Sequence, residues 1–303
     1  MSCTPNIPAI KRLGTIDRDI VEANYIVFKN ELYLFEGIRY QAFSHPYYAN
    51  DRKSCYCRLR RMRDHKIVSE FGYGLHMPQA FVFNDKLYVS GVDDHKTVRH
   101  YLYMIESEDL VNWSEKRLIF GGDSWRIHNS AYCLKPDGTV LLGMECDHPA
   151  GLFATFFAGS RDMKTFELLP DAVHGPGYTG GPVFRWFGEY CFIFYIRGSY
   201  ESSFTMQAAR SKDLKHWEES PCNPFMVPDA ADRIIHARAL DAENLRRKVN
   251  AAKNINVSDI DFCEYNGKLV MNYSWGDQKG TEFLALAEVD CASEREFCES
   301  FFA

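Results

Sequence analysis

Apolar and polar positions along the chain fall into one motif that occurs five times: an apolar run, a tight turn and a second apolar run. It reads Tyr25–Leu34, Ala80–Val89, and Ala131–Leu142 around Asp137-Gly138. It returns at Pro182–Tyr195 around Gly188 and at Asp261–Tyr273 around Asn266-Gly267. Asn-Gly, Asp-Gly and their relatives supply the positive φ angles of two-residue hairpin turns, and β-branched and aromatic flanks favour strands. The residues that open the second strands are Leu32, Leu87, Val140, Tyr190 and Leu269, spaced by 55, 53, 50 and 79. Five hairpins predict five units.

A second repeat runs out of phase with the first. Ser107-Glu108-Asp109-Leu110-Val111-Asn112-Trp113 is followed by Ser160-Arg161-Asp162-Met163-Lys164-Thr165-Phe166 and Ser211-Lys212-Asp213-Leu214-Lys215-His216-Trp217, with a worn copy around Asp64. The phrase predicts a turn tied by Asp and an aromatic wedged between neighbouring units. It therefore belongs to the scaffold. A period near 50 residues marks an array in which no unit buries a core alone. The long last interval holds an insertion, 228–253, rich in Ala, Leu, Arg and Lys, which predicts the chain's helix. Elsewhere the pattern is strand and turn. Each unit is then a four-stranded sheet with its hairpin first, and the whole is an all-β, five-bladed β-propeller forming a single domain over 1–303. A parallel αβ array is excluded because the intervals hold no helices, and Kelch and WD signatures are missing.

Composition agrees with one packed domain: hydrophobic residues make up 46% of the chain, enough to fill the spaces between blades. The net charge of −6, with signs mixed, leaves no basic footprint for nucleic acid. No apolar run has the length of a membrane span, and the first residues lack the pattern of a secretory signal. Ten cysteines include Cys55-x-Cys57 but no Cys-x-x-Cys pair. Their placement within strands predicts free thiols and a cytoplasmic protein.

Propeller geometry says where chemistry sits. Inner strands begin, and second strands end, around the mouth of the central channel. Ten residues before each second-strand opening stand Glu22, Met77, Ser130, Gly180 and Asp259; eight before stand Asn24, Gln79, Tyr132, Pro182 and Asp261. The exits five and seven residues on are Gly37 and Arg39, Val92 and Asp94, Glu145 and Asp147, Tyr195 and Arg197, Ser274 and Gly276. Glu22, Glu145, Asp259 and Asp94 are the catalytic candidates. Carboxyl groups converging on one pocket are what acid/base cleavage of a glycosidic bond requires, one protonating the leaving oxygen and one activating water or attacking the sugar. Arg39, His76, His128, Arg197, Asp261, Trp275 and Gln278 are the candidates for holding substrate, the two arginines suiting an anionic or densely hydroxylated group.

These features resemble the five-bladed glycoside hydrolases of families 43, 32, 117 and 130. The resemblance is carried by the Ser-x-Asp-Leu-x-x-Trp phrases, the Phe-x-Asn-x-x-Leu-Tyr hairpins, and the stretches Asn256–Lys268, Tyr273–Gln278 and Glu282–Ala285. It implies that Glu22 stands where family 43 has its blade-one general base, although Glu22-Ala23 replaces the usual Asp-Pro. It also sets Glu145-Cys146 beside the Glu-Cys acid/base pair of family 32. The expected function is a glycosidase acting on a small glycoside or oligosaccharide. A phosphorylase like family 130 and a non-catalytic carbohydrate-binding propeller are the alternatives. The reading expects a small carbohydrate partner, no nucleic acid, no membrane and no required cofactor. Ca²⁺ in the central channel and a homo-oligomer are left open.

Overall fold

The computed structural model describes residues 7–39, 55–92, 100–148, 151–175, 177–239, 241–279 and 281–303. Three antiparallel four-stranded sheets stand alone. Blade one is Ile20–Phe28, Glu31–Arg39, Cys55–Arg61 and Lys66–Phe71; blade two is His76–Phe83, Lys86–Val92, Tyr101–Ser107 and Arg117–Gly121. Blade three is Arg126–Leu134, Val140–His148, Gly151–Ser160 and Glu167–His174. Blade four (Gly180–Phe187, Tyr190–Gly198, Phe204–Ser211, Glu218–Glu219) meets blade five through one parallel pairing, Phe204 with Asn256. The chain is a five-bladed β-propeller.

Blade five departs from the expected contiguous unit. Asn256–Tyr265, Lys268–Gly276 and Glu282–Val289 supply three strands, and the fourth is Ile10–Arg18 from the other end of the chain, antiparallel to Glu282–Val289. Completing blade five with a strand from the other end of the chain closes the ring by backbone pairing, which the hairpin pattern alone does not reveal.

The Ser-x-Asp phrases tie turns as expected. Asp109 Oδ1 accepts the Val111 and Asn112 N–H groups at 2.9 and 2.7 Å, and Ser107 Oγ accepts that of Leu110 at 2.9 Å. Asp162 and Asp213 repeat the arrangement. The aromatic that follows packs on the preceding blade: Trp113 lies flat on Phe71 of blade one, and Trp217 stacks on Phe157 of blade three.

The insertion is less helical than its composition predicts. A 3-10 turn, Ala230–Arg233, and a helix, Ala242–Ala251, capped by Asp241, flank an extended stretch. Ile234 and His236 pair with Thr15 of the closing strand (Ile234 O to Thr15 N–H, 2.7 Å; His236 N–H to Thr15 O, 2.9 Å), so tertiary pairing overrides helix propensity there. A further helix, Glu294–Ser300, was not foreseen. Its N-cap is plain in the sequence: Ser293 accepts the Glu296 N–H at 3.1 Å, and Glu296 accepts the N–H of the preceding residue, Ala292, at 3.2 Å. Among the described residues no helix is long and apolar enough to cross a membrane, and nine cysteines stand as free thiols, seven of them buried.

Asp232 anchors the closing strand. It is fully buried, pairs with Arg12, and accepts hydrogen bonds from Tyr273 Oη (2.9 Å), Asn254 Nδ2 (2.7 Å) and its own cap residue, Asp229 N–H (2.8 Å). Removing one partner of such a pair strands a buried charge. Arg12→Ala should therefore destabilise the fold by about 3 kcal/mol in urea unfolding, and Arg12→Lys by clearly less. Equal, near-zero losses would show that the closing strand does not depend on this pair.

Candidate active site at the channel mouth

All five inner strands break register near the same face of the disc. The breaks fall between Ile20 and Ala23, His76 and Gln79, Ile127 and Asn129, Gly180 and Val183, and Ser258 and Asp261. A bulge leaves residues out of the ladder and re-aims their side chains. The residues so released include Glu22, Met77, His128, Gly181 and Asp259. Met77, Gly181 and Asp259 take positive φ angles of 49°, 53° and 47°. Together they line a cavity of about 560 Å³ that Glu145 joins from the second strand of blade three. A volume of that order is typical of small-molecule sites.

Five carboxyl groups line this cavity from four blades: Glu22, Glu145, Glu201, Asp259 and Glu282. Glu145 Oε2 accepts Asn129 Nδ2 at 2.7 Å and the Gly181 N–H at 3.3 Å. On its other side Gly181 meets Asp259: a Cβ there would lie 2.6 Å from Asp259 Oδ1. One glycine thus spaces two carboxylates. A run of aromatic rings, Phe153, Tyr178, Phe204 and Tyr200, supplies apolar wall, with neighbouring centroids 5.1–6.2 Å apart. His128 sits at the rim with its Nε2 3.1 Å from Asp147 Oδ2 and its ring beside Phe153.

Glu282 stands at neither an inner-strand start nor a second-strand exit, the positions that spacing singles out. It opens the third strand of blade five. Its Oε1 accepts the Gln278 N–H at 2.7 Å, and its Oε2 accepts Asn256 Nδ2 at 3.2 Å. Burial pushes its carboxyl up to about 8, against the lowering effect of those hydrogen bonds, and Asp259 and Asp277 add to the rise. The signal available in the sequence was a lone Glu at the head of the apolar run Phe283–Ala287.

Of the expected residues, Glu22, Glu145, Asp259, His128 and Gln278 line one cavity. His76 is buried beside Met77 but does not line it. Asp94 and the side chain of Arg39 lie outside the described residues. Three expectations are corrected. Arg197 faces away and pairs with Glu219 at 3.6 Å. Trp275 is fully buried, stacked on Phe283, with its indole N–H donated to Thr15 Oγ1 at 2.8 Å; it clamps the closing strand. Asp261 does not line the main cavity: it lines a small cavity of about 20 Å³ shared with Glu22 and Asp259, and a further cavity, and it pairs with Arg185 at 2.8 Å.

The Arg197 error is one of register. Leu32, Leu87 and Leu269 follow a charged first residue, Glu31, Lys86 or Lys268, whereas in blade four that first slot holds the apolar Tyr190. The equivalent position is Cys191, and counting from it gives Gly181, Ile196 and Gly198, all of which line the cavity. In blade three a longer turn, residues 135–139, moves the site from Ser130 to Asn129. Ser130 instead meets Ser90 Oγ at 3.0 Å.

Fold and cavity together define a carboxyl-lined five-bladed propeller, and solved glycosidases share its fold. The chain is similar to the GH43 protein BlXynB from Bacillus licheniformis, with a TM-score of 0.58 and 14% identity over 94% of this chain and 57% of that one. It is similar to a xylan beta-1,4-xylosidase from Bacillus halodurans C-125, with a TM-score of 0.61 and 13% identity over 94% and 54%. A glycosyl hydrolase from Bacteroides ovatus matches with a TM-score of 0.59 and 9% identity over 95% and 97%. The chain spans a little over half the length of the first two. At these identities the likeness is one of fold. No protein-family model matches the chain, and no curated protein matches it by sequence. Among the described residues no group of three or more His, Cys, Asp or Glu side chains is placed to hold a metal ion.

Gly181→Ala tests the spacer. The left-handed backbone costs a non-glycine residue about 1 kcal/mol, and the new methyl must displace the Asp259 carboxylate. Thermal unfolding should shift by a few degrees at most, while any ligand affinity or turnover falls far more. Unchanged ligand behaviour would remove Gly181 and Asp259 from the site.

Proposed function

We propose that the chain is a glycoside hydrolase that cleaves a small glycoside or oligosaccharide in the cavity at the channel mouth. The observation that carries this reading is the convergence of Glu22, Glu145 and Asp259 on one cavity, two of them separated by a single glycine. Hydrolysis needs a carboxylic acid for the departing oxygen and a carboxylate on the other side of the bond. Glu145 is the proposed general acid, Glu22 the base or nucleophile, and Asp259 the competitor for the second role. The aromatic run offers a face for a sugar's apolar side. The shared fold supports the reading, since the glycosidases it resembles are built on the same ring. A cytoplasmic setting is part of the proposal, and the buried free thiols suit a reducing compartment.

A panel of nitrophenyl glycosides and oligosaccharides, assayed with and without phosphate, tests it. The expected result is turnover that does not require phosphate. Glu145→Gln should lower kcat by roughly 10²–10⁴-fold for poor leaving groups and much less for activated aryl glycosides. Azide or formate should restore turnover to Glu22→Ala with a defined anomer; rescue of Asp259→Ala instead transfers that role. Phosphate-dependent turnover would make the protein a phosphorylase, and binding without turnover a carbohydrate-binding propeller.

A further inference from the structure

The four rings of the cavity wall are not equivalent. They run from Phe153, beside His128 of blade three, through Tyr178 and Phe204 to Tyr200. Phe204 is 6% exposed and Tyr200 49%, so the run leads from the buried part of the cavity to its outer rim. Tyr200 stands in the turn between Tyr190–Gly198 and Phe204–Ser211 of blade four. Ordering a side chain on a surface turn costs conformational entropy, and here the protein's own contacts order it. Its Oη donates to the Gln278 carbonyl of blade five at 2.9 Å, and the Phe204 ring meets it at 77° with centroids 5.1 Å apart. Lys279 Nζ lies 4.7 Å from the ring centroid. Lys279 does not line the cavity, whereas Tyr200 does. The ammonium therefore covers ring surface turned away from the cavity and leaves ring surface facing into it. Glu201, next in the turn, brings a carboxyl to the same lining.

We propose that Tyr200 is the platform for the second sugar unit of a neutral disaccharide or longer glycoside, and so determines which ligand length the cavity prefers. The inference rests on the reading that this cavity takes a carbohydrate. A sugar ring presents C–H groups on a face and hydroxyls around its edge. The C–H face packs on an aromatic ring, while the hydroxyls need hydrogen-bond acceptors beside it. Tyr200 offers the first and Glu201 the second. With one unit seated among Glu22, Glu145 and Asp259, the next extends along the run of rings toward the rim. A cavity of about 560 Å³ has room for more than one sugar ring. The Glu201 carboxylate repels a uronate or phosphate at that unit. Because the ring is fixed before any ligand arrives, little side-chain freedom is lost when a sugar stacks on it.

Calorimetric titration of Glu145→Gln keeps hydrolysis out of the measurement. The probes are glucose and cellobiose, xylose and xylobiose, arabinose and arabinobiose, and mannose and mannobiose. At least one disaccharide should bind more tightly than its monosaccharide. Adding Tyr200→Ala should weaken that disaccharide about tenfold and leave its monosaccharide within about twofold. Tyr200→Phe, which keeps the ring and loses the bond to Gln278, should retain most of the affinity. A role confined to tying blade four to blade five would make Tyr200→Phe as damaging as Tyr200→Ala and weaken both ligand lengths alike. That result overturns the proposal. A monosaccharide bound as tightly as its disaccharide, or a disaccharide that Tyr200→Ala binds unchanged, overturns the platform alone. Should Tyr200→Ala fail to fold, the native ring decides. Its ¹H–¹³C NMR resonance, identified by its absence in Tyr200→Phe, should shift with the disaccharide and not with the monosaccharide, and an unmoved resonance overturns the proposal. A cavity that binds none of these sugars overturns the carbohydrate reading itself, and the platform with it.

Discussion

Pairing of Ile10–Arg18 with Glu282–Val289 is the constraint on which the other features rest. It closes the ring with ladder hydrogen bonds instead of side-chain packing alone, and it leaves the first and last blades no freedom to part. The closing strand runs directly into Ile20–Phe28, the inner strand of blade one. The Asp19 N–H at that junction donates to Glu282 O at 2.9 Å. Two ends of the chain are thereby fixed against each other at the channel mouth. Glu22 from one end and Asp259 and Glu282 from the other line one cavity because this pairing holds. Trp275, Thr15 and Asp232 reinforce it from inside the blade, which is why an indole in a promising sequence position proved to be scaffold.

Bulges then convert a structural ring into a site. A regular inner strand would direct alternate side chains into the spaces between blades, where the five apolar clusters sit. Breaking the ladder once per blade frees a residue to face the axis. Carboxyl groups gathered in this way, partly out of water, repel one another and lose solvation. Glu282, buried and crowded by Asp259 and Asp277, is pushed toward the acid form.

Much of this was legible because hairpins keep count. Two-residue turns in blades one, two and five carry the spacing faithfully from an apolar opening to the channel mouth, so Glu22, Met77 and Asp259 fell where counting put them. The count failed where local chemistry broke the rule. Tyr190 put an apolar side chain in a slot charged elsewhere, sheltered by Arg210 at 4.4 Å from its ring, and the longer turn at 135–139 added to blade three. The closing strand was invisible to a search for repeated units, since it lies before the first hairpin and has no partner nearby in sequence. Glu282 was hidden for a related reason: its burial is set by blades and turns distant along the chain. The helix cap at Ser293 is written locally, in Ser293 and the Glu three residues on, and can be read from the sequence.

The central claim is that the cavity at the channel mouth is where a glycosidic bond is cleaved. A crystal structure of Glu145→Gln bound to the oligosaccharide turned over by the wild type tests it most directly. The account predicts a sugar in the 560 Å³ cavity, with the linkage oxygen beside residue 145 and the anomeric carbon facing Glu22 or Asp259. A sugar seated in the cavity lined by Arg185 and Asp261, or with its linkage out of reach of all three carboxyl groups, would contradict it.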